Sequence, residues 1–245
     1  MNDKLQQIDT LLGELNQYRA NENYRITEAL EIEYTYDSNR IEGNTLTLHE
    51  TDMVVNKGIT IAGKGLREHL EAINHKEAID FIKDIAQKKE PISERVLLDI
   101  HAIVLHSIDK ENAGNSRRVP VIISGSKHIP PQPYLLQPQM DELFQWYEAN
   151  KDSMHPVVLA AQMHEKLVSV HPFIDGNGRT ARLLMNLILM QHGYPIANIK
   201  GDNETRRRYY ETLEEASSGD NSAFVEFIED VVIQSLTYYL KIIRG

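Results

Sequence analysis

No cysteine occurs in the chain, which excludes a disulfide framework and any thiolate metal site. Positive charge is in the minority: 26 Lys and Arg stand against 36 Asp and Glu, a formal net charge of −10. A general nucleic-acid binder needs a basic face, so no nucleic-acid partner is expected; a nucleotide site needs only a local patch. Long apolar runs are missing as well. None approaches the ~20 residues of a membrane span, so no membrane partner is expected. Met1-Asn2-Asp3-Lys4 opens no apolar signal segment, and the expected location is cytoplasmic. Strand-forming runs are nearly absent, and no repeat, low-complexity tract or linker divides the chain.

What is present is ordinary for a globular protein: 41% hydrophobic and 25% charged residues in a chain of 245. Apolar residues recur mostly at helical spacing. Ile8, Leu11, Leu12 and Leu15 predict a helix from about Leu5 to Tyr18, and a second runs from Ile26 to Ile41 up to the stop at Gly43. Thr47-Leu48-His49-Glu50 reads as a capping box. Further helices are expected from Leu66 to Ala86, from Pro91-Ile92-Ser93 to about Ile108, and from Met140 to Asn150. They continue from Pro156 to Val170, Leu183 to His192, Arg206 to Ala216 and Phe224 to Ile243. The reading is all-α, with residues 1–60 as an N-terminal helical region and 61–245 as a core, the two forming one compact unit.

One stretch concentrates chemistry: His171-Pro172-Phe173-Ile174-Asp175-Gly176-Asn177-Gly178-Arg179-Thr180-Ala181-Arg182. It lies between two apolar helical runs, so it reads as helix, tight loop, helix. Gly176 and Gly178 can take left-handed conformations, and successive N–H groups bent that way converge into an anion-binding nest. The following helix adds its positive N-terminal end. Arg179 and Arg182, three apart, can share one helical face. Backbone donors backed by two arginines suit a polyphosphate. Asp175 beside them suits a divalent cation, because Mg²⁺ favours a carboxylate plus phosphate oxygens. His171 at the rim is the natural general base.

Elsewhere the residues leave alternatives. Val119-Pro120-Val121-Ile122-Ile123, turned by Ser124, Gly125 and Ser126, predicts a small β-hairpin. Pattern alone favours a plain surface hairpin, although an edge strand can also pair with an extended peptide. Tyr209 and Tyr210, after three arginines, read either as core aromatics or as a nucleoside platform. His164 stands seven residues before His171 without a third ligand, which favours a packed histidine over a metal ligand. Ser38 and Glu42 stack at i, i+4 near a helix end. A carboxylate is disfavoured at a helix C-terminus unless an arginine offsets the dipole; otherwise Glu42 simply faces solvent.

The full signature His-Pro-Phe-x-Asp-Gly-Asn-Gly-Arg-x-x-Arg resembles that of the Fic family, and the resemblance extends over most of the chain. It implies a Fic-type helical bundle with a small β-hairpin flap, Val121, Ile122, Ile123, Ser124 and Gly125, that positions the target segment. It implies a protein adenylyltransferase that moves AMP from ATP onto a Ser, Thr or Tyr hydroxyl of a target protein. His171 would deprotonate that hydroxyl and Asp175 would hold Mg²⁺. Gly176, Asn177 and Gly178 would bind the α- and β-phosphates, Arg179 would support the β-phosphate side and Arg182 the γ-phosphate. Aromatic residues near the adenine tip Tyr209 and Tyr210 toward the platform reading. Many relatives carry Asn where this chain has Ser217, so no side-chain bond to nucleotide is expected there. Ser38-x-x-x-Glu42-Gly43 resembles an inhibitory element whose glutamate makes a bidentate pair with the second signature arginine, here Arg182. The rival readings are an AMP-removing hydrolase with Glu42 orienting water, transfer of another phosphate-containing group, and a non-catalytic nucleotide-gated module. The composition admits a homodimer.

Overall fold

The helix that follows the signature loop is apolar on every side, a pattern that belongs in the middle of a bundle. The structure, a computed structural model, describes residues 3–244. Ten α-helices occur among them: α1 (Asp3–Tyr18), α2 (Tyr24–Ile41), α3 (Leu48–Lys57), α4 (Leu66–Lys88), α5 (Glu94–Val104), α6 (Leu136–Asn150), α7 (Pro156–Val170), α8 (Asn177–Gln191), α9 (Asn203–Ala216) and α10 (Ser222–Arg244). Short 3₁₀ turns cover Arg19–Asn21 and Pro133–Leu135. Helix α8 is the axis: Arg179 through Leu189 are all buried, with α7, α4, α5 and α2 packed around it. Helix α1 lies along α10, which in turn covers α7 and α9. Ala78, Ile79, Ile82 and Ile85 turn one face of α4 into the shared core.

Local capping explains most of the boundaries. Asn23 opens α2 by accepting the Arg25 and Ile26 N–H groups at 3.1 and 3.2 Å. The Thr47 box is present: Glu50 N–H donates to Thr47 Oγ1 at 3.2 Å and Thr47 N–H donates to Glu50 Oε2 at 2.7 Å. Helix α5 stops at Val104, short of the expected Ile108, because Ser107 takes a left-handed φ of 61°. Asn74 Nδ2 satisfies the carbonyls thus released, donating to Val104 O at 3.2 Å and His106 O at 2.5 Å. Helix α8 starts at Asn177 rather than Leu183, so both signature arginines are helical.

The expected β-hairpin is not formed. Among the described residues there is no strand, and 119–131 runs as irregular chain with one turn, Ser126 N–H to Ile123 O at 3.2 Å. Pro120, Pro130 and Pro131 have no N–H to give a ladder. A side chain closes the segment instead: Arg117 donates from Nη1 to Val119 O at 3.0 Å and from Nη2 to Pro131 O at 2.6 Å. The tip is tied to α9, where Glu214 accepts Lys127 N–H at 2.8 Å and Ser126 Oγ at 2.5 Å. Ile122 and Ile129 are left 88% and 80% exposed.

Candidate active site

The signature loop is a short turn that two helix ends force on the chain. His171 ends α7 with a φ of 48°, its N–H donating to Leu167 O at 2.9 Å. Gly176, with φ 80°, begins α8. A Cβ on it would stand 3.4 Å from His101 and Val104 side-chain atoms. Asn177 spends its side chain on the turn: Oδ1 accepts Phe173 N–H at 3.0 Å and Nδ2 donates to Phe173 O at 2.9 Å. The first intrahelical bond of α8 is Thr180 N–H to Gly176 O at 2.9 Å. The N–H groups of Asn177, Gly178 and Arg179 therefore have no intrahelical acceptor and suit an anion.

Two residues outside the signature hold this loop. His101 on α5 stacks on Phe173 with ring centroids 3.6 Å apart. Its Nδ1 accepts Gly114 N–H at 3.1 Å, which leaves Nε2 to donate to Asp175 O at 3.0 Å. Burial pushes its pKa down to about 4, against the pull of the Asp175 carbonyl. Arg117, buried beside the loop, donates Nε to His171 O at 2.9 Å and its backbone N–H to Pro172 O at 2.8 Å. One guanidinium thus joins the candidate base to both ends of the 119–131 segment. His171 itself has its pKa pushed down to about 4, chiefly by burial; the Val168 carbonyl opposes this, while Arg117 and His128 reinforce it. Its ring is neutral at pH 7 and able to accept a proton.

Asp175 is half-buried. Oδ1 accepts Gly176 N–H at 2.6 Å and Arg179 Nη2 at 3.2 Å, and Oδ2 accepts Arg67 Nη2. Burial would raise its pKa, but Arg179, the Gly176 N–H and Arg67 outweigh burial and hold the carboxyl below its usual value. Arg179 also faces Glu71 Oε1 at 3.5 Å. Among the described residues no group of three or more His, Cys, Asp or Glu is arranged to hold a metal ion. A lone carboxylate next to a turn with free N–H groups still fits Mg²⁺, which keeps water and takes phosphate oxygens.

Arg182 is fully buried and every nitrogen of its guanidinium has a partner. Nε donates to Ser38 Oγ at 3.0 Å, Nη2 to Ser38 O at 2.9 Å and to Glu42 Oε1 at 2.7 Å, and Nη1 to Tyr209 OH at 3.3 Å. Burial opposes its charge, yet Glu42 more than offsets this and raises the pKa. Glu42 and Ser38 do meet Arg182, but the fork is divided among three residues where a bidentate Glu–Arg pair was expected. The Glu42 carboxylate also covers Gly178: a Cβ there would collide with Glu42 Oε1 and stand 3.1 Å from Arg182 Nη1.

Helix α2, which carries both residues, is gripped one residue before Ser38. Asp37 accepts Asn198 Nδ2 at 2.7 Å, Gly201 N–H at 2.9 Å and Lys200 Nζ at 3.2 Å. A Cβ on Gly201 would lie 2.8 Å from Asp37 O, so the 198–201 loop approaches the helix as only glycine permits.

The two tyrosines part company. Tyr209 is 1% exposed and sits in the core. Its hydroxyl accepts from Arg182 and donates to His164 Nε2 at 3.1 Å. Burial drives the His164 pKa down to about 3, so this ring is a neutral acceptor for the Tyr209 hydroxyl. Tyr209 offers no open face, and the expected platform narrows to Tyr210. Tyr210 is 43% exposed, donates its hydroxyl to Ile41 O at 3.2 Å and carries Arg206 over its ring at 5.7 Å. A cavity of about 1060 Å³, lined by Tyr24, Lys83, Tyr194 and Tyr238 among others, lies toward the start of α2 and includes no signature residue.

Residues 91–189 match the Fic/DOC family. A solved structure of Fic-1 from C. elegans is 33% identical, with a TM-score of 0.85, and the match covers 97% of this chain and 71% of that one. The chain belongs to the Fic family. A Fic domain containing signaling protein from Bacteroides thetaiotaomicron, 28% identical, superposes with a TM-score of 0.88 over 99% of this chain and 97% of its own. Among curated relatives, Protein adenylyltransferase Fic of Culex quinquefasciatus is 40% identical over 211 residues, 85% of this chain and 41% of that protein. The protein of the same name from Nematostella vectensis is 39% identical over 210 residues, 85% of this chain and 48% of its own length. The chain thus spans less than half the length of these curated relatives. No helix among the described residues is long and apolar enough to cross a membrane.

His101, Arg117, Asp37 and Glu214 were invisible in the sequence as site residues. Each acts through a partner 13 to 164 positions away. The only local hints were weak: paired arginines just before Val119, and an acid just before Ser38.

Proposed function

We propose that this chain is a protein adenylyltransferase, moving AMP from ATP to a Ser, Thr or Tyr hydroxyl of a target protein and restrained by Glu42. One observation carries the reading: a neutral His171 stands at the mouth of a turn whose next helix offers unpaired N–H groups and two arginines. The naming of the curated relatives supports it. In this mechanism the target oxygen attacks the α-phosphorus of ATP in line. The O–P bond forms as the bond from the α-phosphorus to the bridging oxygen of the β-phosphate breaks, and pyrophosphate leaves. The hydroxyl proton passes to the His171 ring, which Arg117 holds through the His171 carbonyl. The N–H groups of Asn177, Gly178 and Arg179 take phosphate oxygens, and Arg179 and Arg182 balance the charge that develops toward the leaving group. Asp175 would hold Mg²⁺, which supplies charge neutralisation of the phosphates. The segment 119–131 would position the target chain. Residues 1–60 act as the inhibitory region on a 61–245 core, and a chain without cysteine suits a reducing cytoplasm.

Incubation with ATP labelled at the α- or the γ-phosphate tests this. Protein-bound label from the α-position only is the expected result; label from the γ-position would make the enzyme a kinase and overturn the reading.

A second reading has its own support. Among the described residues, Glu42 Oε2 takes no hydrogen bond, and the side chain is 32% exposed. That oxygen could orient a water for removal of AMP from a modified target.

A further inference from the structure

Asp175 must exchange a partner to receive a cation. Both carboxylate oxygens are in use, and the partners differ in how easily they leave. Arg179 on Oδ1 has a side chain only 3% exposed and is fixed on α8 between Asp175 and Glu71. Arg67 on Oδ2 reaches across from the first turn of α4, with its side chain 59% exposed. A second bond holds it: Nε donates to Glu71 Oε1 at 3.1 Å. Glu71 in turn is anchored by Asn44 Nδ2 at 3.0 Å on its other oxygen and is itself 12% exposed. Arg67 can therefore release Asp175 without losing its hold on the protein.

We propose that Arg67 gates metal entry: its guanidinium occupies the Asp175 oxygen that a divalent cation would take, and it swings aside, pivoting on Glu71, when the metal binds. The inference rests on the reading of Asp175 as the Mg²⁺ ligand. A guanidinium and a dication at the same carboxylate oxygen repel each other, so Arg67 on Oδ2 opposes the arrival of the metal there. Occupancy is then a competition between a tethered monocation and a free dication. A partly exposed ion pair is weak, so the gate raises the metal concentration required instead of closing the site. Its signature lies in the metal dependence of nucleotide binding, with little effect once Mg²⁺ saturates.

The test is calorimetric titration of ATP into the protein over a series of Mg²⁺ concentrations, reading the concentration that gives half of the metal-induced gain in affinity. Arg67→Gln should lower this midpoint about two- to fivefold, the range expected for removing a partly exposed pair. Asp175→Ala should remove the metal-induced gain. Arg207→Gln, which removes an exposed charge that faces Glu211 and makes no bond to Asp175, should leave the midpoint in place. An unchanged midpoint in Arg67→Gln, with the gain lost in Asp175→Ala, overturns the gate and leaves the metal assignment standing. A gain that persists in Asp175→Ala overturns the metal assignment and the gate with it. Equal shifts in Arg67→Gln and Arg207→Gln would reduce the effect to general charge and overturn the gate.

Discussion

The carboxylate of Glu42 fills the space that a side chain on Gly178 would need, while its Oε1 receives Arg182 Nη2 at 2.7 Å. The acid thus sits at the N-terminal turn of α8, where an anion is favoured. Its own helix ends at Ile41, a C-terminus where an acid is disfavoured. Arg182 and the start of α8 together offset that penalty. The protein's own carboxylate and a nucleotide phosphate would compete for the same guanidinium and the same helix end.

Glu42→Gly should therefore free Arg182 and raise transfer of α-labelled phosphate to protein. A misalignment of about 1 Å in the bound nucleotide can cost ~10²-fold, so a gain of that order is expected. Arg182→Ala in the same background should reverse it. A Glu42→Gly enzyme with unchanged transfer but no power to remove AMP from a modified target would favour the hydrolytic reading.

His171→Ala should lose ~10²- to 10⁴-fold in transfer rate, the usual cost of a missing general base. ATP affinity should stay near the parent value, because the ring stands outside the donors of α8. Parallel rate and calorimetric measurements separate the two, and a near-normal rate would remove His171 from the chemistry.

The depressed histidines set an acid limit. With a pKa of about 4, His171 stays neutral from pH 7 down to 5, so transfer per folded molecule should be level there and fall below about pH 4.5 as the ring protonates. Stability moves earlier. His101, at about 4, and His164, at about 3, are depressed in the folded state. The unfolded chain therefore binds protons first, and the stability held above pH 6.5 erodes as pH falls through that value toward 4 and 3. Urea midpoints at pH 7.5 and 5.0 should show a decrease; a rise would contradict the buried neutral rings.

Tyr209→Phe removes the hydroxyl between Arg182 and His164. It leaves two buried polar atoms without that partner, at a cost of ~1–3 kcal/mol each when unsatisfied. Denaturant unfolding should show a loss in this range with the slope unchanged, and no loss would mean that the hydroxyl carries no structural bond.

Glu214→Ala should loosen the tip of the 119–131 segment, since the tethers of Ser126 and Lys127 to α9 both end on that carboxylate. Limited trypsin digestion should cut after Lys127 several times faster than in the parent while the far-ultraviolet circular dichroism stays the same. Equal cleavage rates would show that Arg117 and the bond from His128 Nε2 to Ser169 O hold the segment without Glu214.

Much of this was legible in one dimension because the chemistry is local. Helix positions follow from the 3.6-residue period and from caps such as Thr47, set within four residues. The signature turn is local too: His171, Asp175, Gly176 and the two arginines fall within twelve positions, so their types and spacing alone suggested an anion site. The Val119–Ile123 run misled for the same reason. Its residues favour strands, but a strand needs a partner ladder, and the prolines at 120, 130 and 131 deny one.

The remainder depended on packing between distant segments. No local pattern distinguishes Tyr209 from Tyr210; their fates diverge because α9 turns the first toward α10 and the second toward the end of α2. Nor does any pattern assign Arg67 to Asp175, 108 positions away, or His101 to the Asp175 carbonyl in the signature turn. No pattern shows, either, that the 198–201 loop grips Asp37 on the helix that carries Glu42 to Arg182. Side-chain type and short-range spacing are written into the chain directly, whereas contacts between helices follow only once the core has fixed how those helices pack.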